Sequence, residues 1–202
     1  MRDMIIPGDM VSDKPLRIAN GFIQNGKTYS KVLGVYDAAE RTIIPLEGSW
    51  MPRLEDSVVG IITEARPKVY IVDLSYFGRA LLIPGKYDRY EFQPGDIISA
   101  LIKNIEGKNT IILEDPKPLE GGTILSIKPK KIPRVIGKKS TMVRQIAEYS
   151  GTHIVVGMNG LIWLKDGNIA LATEALLKVE REAHLSGLTD TIKNFLEKNK
   201  SE

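Results

Sequence analysis

Before about residue 115, no apolar stripe at helical spacing persists for 11 residues. Short β-branched runs recur instead between Pro, Gly and Asn-Gly signals, so this stretch reads as strands. After Pro116, Pro118, Gly121 and Gly122 the pattern changes to short strands mixed with amphipathic helices. A chain of 202 residues with that break is long for one domain and comfortable for several small ones. The expected division is a β-rich domain over 1–53, a second all-β domain over 54–117 and an α+β domain over 121–202.

Within the β portion an acid follows a turn residue three times, ahead of an apolar run: Pro7-Gly8-Asp9-Met10-Val11, Leu54-Glu55-Asp56-Ser57-Val58 and Pro94-Gly95-Asp96-Ile97-Ile98. Pro and Gly set turn dihedrals and Asp can bond its own backbone, so each marks a strand start. From Asp56 to Glu114 five strands are expected, over 57–65, 69–74, 79–83, 96–105 and 109–114, the last two joined at Glu106-Gly107-Lys108-Asn109. Five short strands with the longer loop between the third and fourth suit a small closed barrel of the OB type, against some other small β-barrel.

The last third reads β-α-α-β-β-α. Thr123–Ile127 is a strand, Ile132–Ile136 a short helix and Thr141–Tyr149 a second helix with Val143, Ile146 and Ala147 on its apolar face. Strands come next at His153–Val156 and Leu161–Lys165, around Gly157-Met158-Asn159-Gly160. A long helix carries Ile169, Ala172, Leu176, Val179 and Ala183, Ser186-Gly187 ends it, and a last amphipathic turn or two carries Leu188, Ile192, Phe195 and Leu196. The net charge of +3 is uneven: residues 1–53 carry +1, 54–120 carry −3 and 121–202 carry +5. Lys128, Lys130, Lys131, Arg134, Lys138, Lys139 and Arg144 fall within seventeen residues that contain no acid. An acid-free cationic block leans toward a polyanion partner.

The run Arg134-Val135-Ile136-Gly137-Lys138-Lys139-Ser140-Thr141-Met142-Val143-Arg144 resembles the KH-domain signature, in which an apolar pair precedes a Gly-x-x-Gly loop and an amphipathic helix comes after it. A tight loop between two helices brings backbone N–H groups and a helix N-terminus up to phosphates, and Lys138 and Lys139 add charge. The resemblance implies a type I KH domain, with Arg134, Gly137, Lys138, Lys139 and Arg144 as candidate RNA-binding residues. Ser140 stands where the signature has its second Gly; its Cβ restricts the backbone, while its hydroxyl offers a cap to the next helix. The preceding barrel resembles the RNA-binding domain repeated in ribosomal protein S-one, whose second and third strands carry aromatic platforms with basic flanks. The matching stretch runs from Lys68 to Arg79. Tyr70, Tyr76 and Phe77 are the candidate platforms, at least one of them expected in the barrel core, and Arg66, Lys68, Arg79, Lys103 and Lys108 the candidate phosphate partners.

Competing readings find little support in the residues. Gly21-Phe22-Ile23-Gln24-Asn25-Gly26-Lys27-Thr28 matches the spacing of a nucleotide-binding phosphate loop, yet that loop must open a helix. The residues after Thr28 alternate and are β-prone, and Asn25-Gly26 is a hairpin signal. A two-metal nuclease needs convergent carboxylates, whereas the acids here are scattered at turns. His153 and His184 are the only histidines and are expected to be structural or surface groups. With no cysteine there are no disulfides or thiolate metal sites, and a reducing, cytoplasmic setting fits. No stretch approaches the length of a membrane span and no secretory signal is visible, so no membrane partner is expected.

A small β-rich domain, an S-one-type barrel and a KH domain in this order resemble the KH-containing RNA-binding cap subunits of archaeal RNA exosomes. The resemblance includes Ile6-Pro7-Gly8-Asp9, the stretch from Tyr29 to Tyr36, Ile132–Lys139, and the family's Gly-x-Asn-Gly element at Gly157–Gly160, which reads as a tight turn whose Asn bonds neighbouring backbone. It implies three cap subunits, copies of this chain or of another cap protein, on a hexameric phosphorolytic ring. The N-terminal domain would dock on the ring, the barrels would line the pore and the KH domains would lie outside. Single-stranded RNA, A-rich 3′ ends especially, would be bound and fed to the ring, with no nuclease activity and no cofactor in the cap. The rival from another class is an S-one/KH transcription or translation factor acting on nascent or ribosomal RNA.

Overall fold

A computed structural model describes residues 2–38, 40–84, 91–107, 109–185 and 187–199. The first fifty residues form two three-stranded sheets. In one, β1 (Arg2–Ile5), β5 (Gly34–Asp37) and β6 (Thr42–Pro45) run in the order β1-β5-β6; in the other, β2 (Met10–Ser12), β3 (Gly21–Gln24) and β4 (Lys27–Ser30) run in the order β2-β4-β3. Asn25 and Gly26 take positive φ (50° and 72°) between Gln24 and Lys27, which pair across the hairpin. The phosphate-loop look-alike is therefore a β-hairpin. Its Thr28 is fully buried, with Oγ1 donating to the Lys14 carbonyl and accepting from the Leu16 N–H.

The second unit is a closed barrel of β7 (Ser57–Arg66), β8 (Val69–Asp73), β9 (Arg79–Leu82), β10 (Ile97–Glu106) and β11 (Thr110–Pro118). Going round, the order is β7-β8-β9-β11-β10 and back to β7, with only β9 and β11 parallel. That is the OB arrangement. Alternate residues fill its interior: Val58 and Ile62, Ala80 and Leu82, Ile98 and Ile102, Ile111 and Leu113. The three Asp-containing turns prove to be one device. In each, Asp Oδ2 accepts from the N–H three residues earlier: Ile6 for Asp9 (2.9 Å), Arg53 for Asp56 (3.1 Å) and Gln93 for Asp96 (2.7 Å). The residue before each Asp, Gly8, Glu55 or Gly95, has positive φ, and β2, β7 and β10 begin directly after.

The third unit holds β12 (Thr123–Ser126), β13 (His153–Val156) and β14 (Leu161–Lys165), an antiparallel sheet in the order β12-β14-β13. Four helices cover one face: α1 (Ile132–Ile136), α2 (Thr141–Ser150), α3 (Ile169–Glu182) and α4 (Leu188–Asn199). Ala172 and Ala175 let α3 approach its neighbours closely, and the core closes over Ile132, Val135, Ile146, Leu176 and Ile192. Two details differ from the sequence-based expectation. The buried face of α2 is Met142, Ile146 and Ser150, with Val143 and Ala147 only half-buried on its flanks, because Ser150 turns its hydroxyl onto the Ile146 carbonyl and can be buried. The last helix runs twelve residues rather than a turn or two, because Leu188, Ile192 and Leu196 all find core to cover. No helix among the described residues is long and apolar enough to cross a membrane.

Barrel and C-terminal unit are fused across the outer face of β7. Val59 points away from the barrel interior yet is fully buried, packed with Leu119, Leu161 and Trp163. The turn between β13 and β14 adds hydrogen bonds to that seam. Met158 N–H donates to the Ser57 carbonyl, and Asn159 reaches into the barrel backbone. The N-terminal sheets meet the C-terminal unit through Lys128 Nζ, 3.2 Å from Glu47.

Candidate nucleic-acid interface

The loop from Gly137 to Ser140 joins α1 to α2. Gly137 has φ 74° and ψ 173°, and a Cβ there would lie 2.8 Å from the Met142 Cβ and 2.9 Å from its nitrogen. Only glycine lets the loop close onto α2. Lys139 (φ 53°) and Ser140 (φ 61°) are both left-handed, so Ser140 adopts the conformation its glycine counterpart takes freely. Its hydroxyl makes no capping bond to α2, correcting the alternative role; Ser140 is left-handed rather than in the extended conformation a capping serine takes. Thr141 Oγ1 instead donates back to the Lys138 carbonyl. Lys138, Lys139 and Arg144 are exposed and form no ion pair among the described residues, while Arg134 is half-buried on α1. Upstream, burial and then the Lys128 charge lower the Lys131 ammonium below its ordinary value.

The barrel sorts its candidates by register. Arg66 pairs with Val69 at one end of the β7–β8 hairpin, while Arg79 pairs with Thr110 at the other end. The five residues of β8 separate the two ends by roughly 17 Å. At the first end, Lys68 is exposed, whereas Arg66 donates from both Nε and Nη2 to Glu64 Oε2. Tyr70, one strand position on, lies edge-on to Phe92 (5.5 Å between centroids) and packs on the barrel core. Lys103 pairs with Glu114 at 3.2 Å. Lys108 lies outside the described residues.

At the second end the loop 74–78 sorts its aromatic side chains. Leu74 is buried, and Ser75 turns left-handed with its N–H on Asp73 Oδ1. Tyr76 folds inward, edge-on to Trp50 at 5.5 Å. Gly78 lies so close to the β10–β11 turn that a Cβ would sit 2.3 Å from the Asn109 carbonyl oxygen. Squeezed between these anchors, Phe77 is left 77% exposed, 4.4 Å from the Tyr76 ring, with Arg79 exposed two residues on. Of the three aromatic candidates Phe77 alone presents a free face.

Asn159 is the structural residue whose partners the sequence placed too locally. It is 4% exposed. Its Oδ1 accepts from the Val59 N–H at 3.2 Å, and its Nδ2 donates to the carbonyls of Val59 (2.7 Å) and Leu74 (2.9 Å). Rather than bonding neighbouring backbone, it spans 100 residues and ties the C-terminal sheet to the barrel, next to the loop that carries Phe77. Gly157 makes room for it: a Cβ there would lie 2.2 Å from Oδ1. No local signal in the sequence pointed to a partner that distant.

Comparison with known proteins agrees with this layout. Residues 2–47 match the family described as the exosome RNA binding protein RRP4 N-terminal domain, and residues 122–170 match the KH domain family. The exosome complex component Rrp4 of Pyrococcus furiosus is 38% identical over 218 residues, covering 96% of this chain and 83% of that protein. The same component of Methanothermus fervidus is 34% identical, covering 96% of this chain and 95% of its own length. A crystal structure assigned to an exosome complex RNA-binding protein superposes with a TM-score of 0.64 at 29% identity, covering 75% of this chain and 97% of that one.

Proposed function

Since this chain belongs to the Rrp4 family of exosome complex components, we propose that it is a non-catalytic RNA-binding subunit of the exosome cap. It binds single-stranded RNA, A-rich 3′ ends especially, and guides it into a hexameric phosphorolytic ring that performs the cleavage. The observation that carries this reading is one chain holding, on a KH loop, two lysines with no ion pair among the described residues and, on an OB barrel, an exposed ring. Phosphates on Lys138 and Lys139, with Arg144 beside them, contribute salt-dependent affinity; a base stacked on Phe77 contributes a salt-independent share of about 1–3 kcal/mol. Arg79 and Lys68 extend the cationic flank to either end of the barrel, with Arg134 and Gly137 shaping the KH side. Arg66 and Lys103 join only by exchanging a carboxylate partner for a phosphate, Tyr76 acts by supporting the exposed ring, and Tyr70 packs on the barrel core at the far end.

Met4, Ile6, Met10 and Ile23 are large apolar side chains about half exposed on the N-terminal sheets. They suit docking on ring subunits, with three such chains, or this chain mixed with another cap protein, completing a cytoplasmic assembly. The test has two parts. Affinity-purified chain should carry phosphorolytic ring subunits with it; recovery of RNA polymerase or ribosomal proteins instead would favour a transcription or translation factor. The Lys138→Ala, Lys139→Ala double variant should lower the salt slope of RNA binding by about 1.4, at about 0.7 per single-strand phosphate contact. An unchanged slope removes the KH loop from the interface.

A further inference from the structure

We propose that the cleft where the N-terminal sheets, the barrel and the KH domain meet is an additional RNA subsite. There it holds the stretch of strand between the Phe77 platform and the KH loop. The inference rests on the RNA-binding reading above and extends it to residues beyond the Phe77 platform and the KH loop.

The cleft has a volume of about 360 Å³, within the range of small-ligand sites. Ile44 and Pro45 of β6, Met51, and Pro133 of α1 give it apolar walls. Arg53 enters from the N-terminal side and Lys130 from the KH side, and neither side chain forms an ion pair among the described residues. The one carboxylate in the lining, Asp56, turns Oδ2 onto the Arg53 N–H and the Trp50 indole, and with Arg53 and Lys130 the lining keeps a net positive charge. Two unneutralised cations over an apolar wall match a phosphate and a base, and disfavour a cationic or purely apolar occupant. Met51 is 72% exposed at this wall, an apolar side chain largely open to solvent.

The position is as telling as the chemistry. Trp50 lines the cleft and touches Tyr76, which touches Phe77, so a chain of rings at 5.5 and 4.4 Å leads from the cleft to the platform. On the other side Pro133 stands four residues before Gly137, about 6 Å along α1 from the KH loop. A strand stacked on Phe77 and gripped at Lys138 thus has this cleft between its two holds.

The chain contains no cysteine, so Met51→Cys introduces a single thiol at the cleft wall and Leu185→Cys a single thiol at an exposed control site after α3. A saturating oligoadenylate should slow alkylation of the first by about tenfold or more and leave the second unchanged. The Arg53→Ala, Lys130→Ala double variant should lower the salt slope of oligoadenylate binding by about 1.4. Oligoadenylate that binds with wild-type slope to the double variant, or without shielding the Met51→Cys thiol, overturns the subsite while leaving RNA binding intact. Shielding by purified ring subunits but not by RNA also overturns it, by making the cleft a protein interface. Absence of any RNA binding by the wild-type chain would instead sink the RNA-binding reading itself, and the subsite with it.

Discussion

Replacing Asn159 by Ala should uncouple the KH domain from the barrel. The side chain makes three hydrogen bonds to barrel backbone, to the Val59 N–H and to the carbonyls of Val59 and Leu74, in a seam where Val59 is fully buried. At about 1 kcal/mol net per bond the loss is about 3 kcal/mol, rising toward about 5 kcal/mol because the orphaned Val59 N–H has no route to water. With an m-value of about 2–3 kcal/mol/M, the urea midpoint falls by about 1 M or more. Among the described residues the four α-helices all lie after residue 131, so far-UV ellipticity follows the KH domain. Trp50 fluorescence, in a Trp163→Phe background, follows the barrel's N-terminal edge. In the parent these two transitions should coincide; in the Asn159→Ala variant the ellipticity should be lost first. Asn159→Asp should be at least as damaging near neutral pH, because a carboxylate oxygen would face two carbonyls, and milder in acid, where a protonated carboxyl can donate again. Gly157→Ala should copy the defect by driving a methyl group into Oδ1. If the Asn159→Ala midpoint moves by less than about 0.2 M and both probes still report one transition, the clamp contributes no such coupling energy.

Three further outcomes are expected. Phe77→Ala should weaken RNA binding by about 1–3 kcal/mol with stability and salt slope unchanged, whereas Tyr76→Ala should lower stability by about 2–3 kcal/mol because its ring packs on Trp50 and the barrel core; urea titrations beside binding isotherms separate the two. Ser140→Gly should stabilise the chain by about 0.5 kcal/mol, relief of a left-handed residue outweighing the added freedom of the unfolded chain, and Gly137→Ala should destabilise it by about 2 kcal/mol or more; paired thermal melts decide both. The Tyr149 phenol is raised above its ordinary value, chiefly by its hydrogen bond to Glu197 and then by burial, so its stabilising share is present below the ordinary tyrosine range and lost as pH rises through the raised value. Tyr149→Phe should remove that alkaline loss, and a titration in which stability falls equally in both proteins would refute it.

Much of the fold and part of the interface could be read from the residues because the governing interactions are short-ranged. Asp9, Asp56 and Asp96 close turns on N–H groups three residues away, so three strand starts were visible as a repeated tripeptide pattern. Short β-branched runs between turn signals marked the five barrel strands, the Asn25-Gly26 hairpin unmasked the phosphate-loop look-alike, and Gly137-Lys138-Lys139 announced the loop between α1 and α2. Other features depend on what the chain brings together from afar. Whether Tyr70, Tyr76 or Phe77 faces solvent is decided by Phe92, Trp50 and the β10–β11 turn, none of them adjacent in sequence. Which cations remain free depends on carboxylates such as Glu114, which reaches Lys103 across the barrel hairpin, and Glu47, which reaches Lys128 from another domain. Asn159 looked like a turn residue, since a side-chain amide satisfies near and distant backbone with the same chemistry and a motif cannot say which. Backbone dihedrals and side-chain periodicity are written residue by residue; burial, charge pairing and the seam between domains are properties of packed neighbours, and those exist only once the chain has closed.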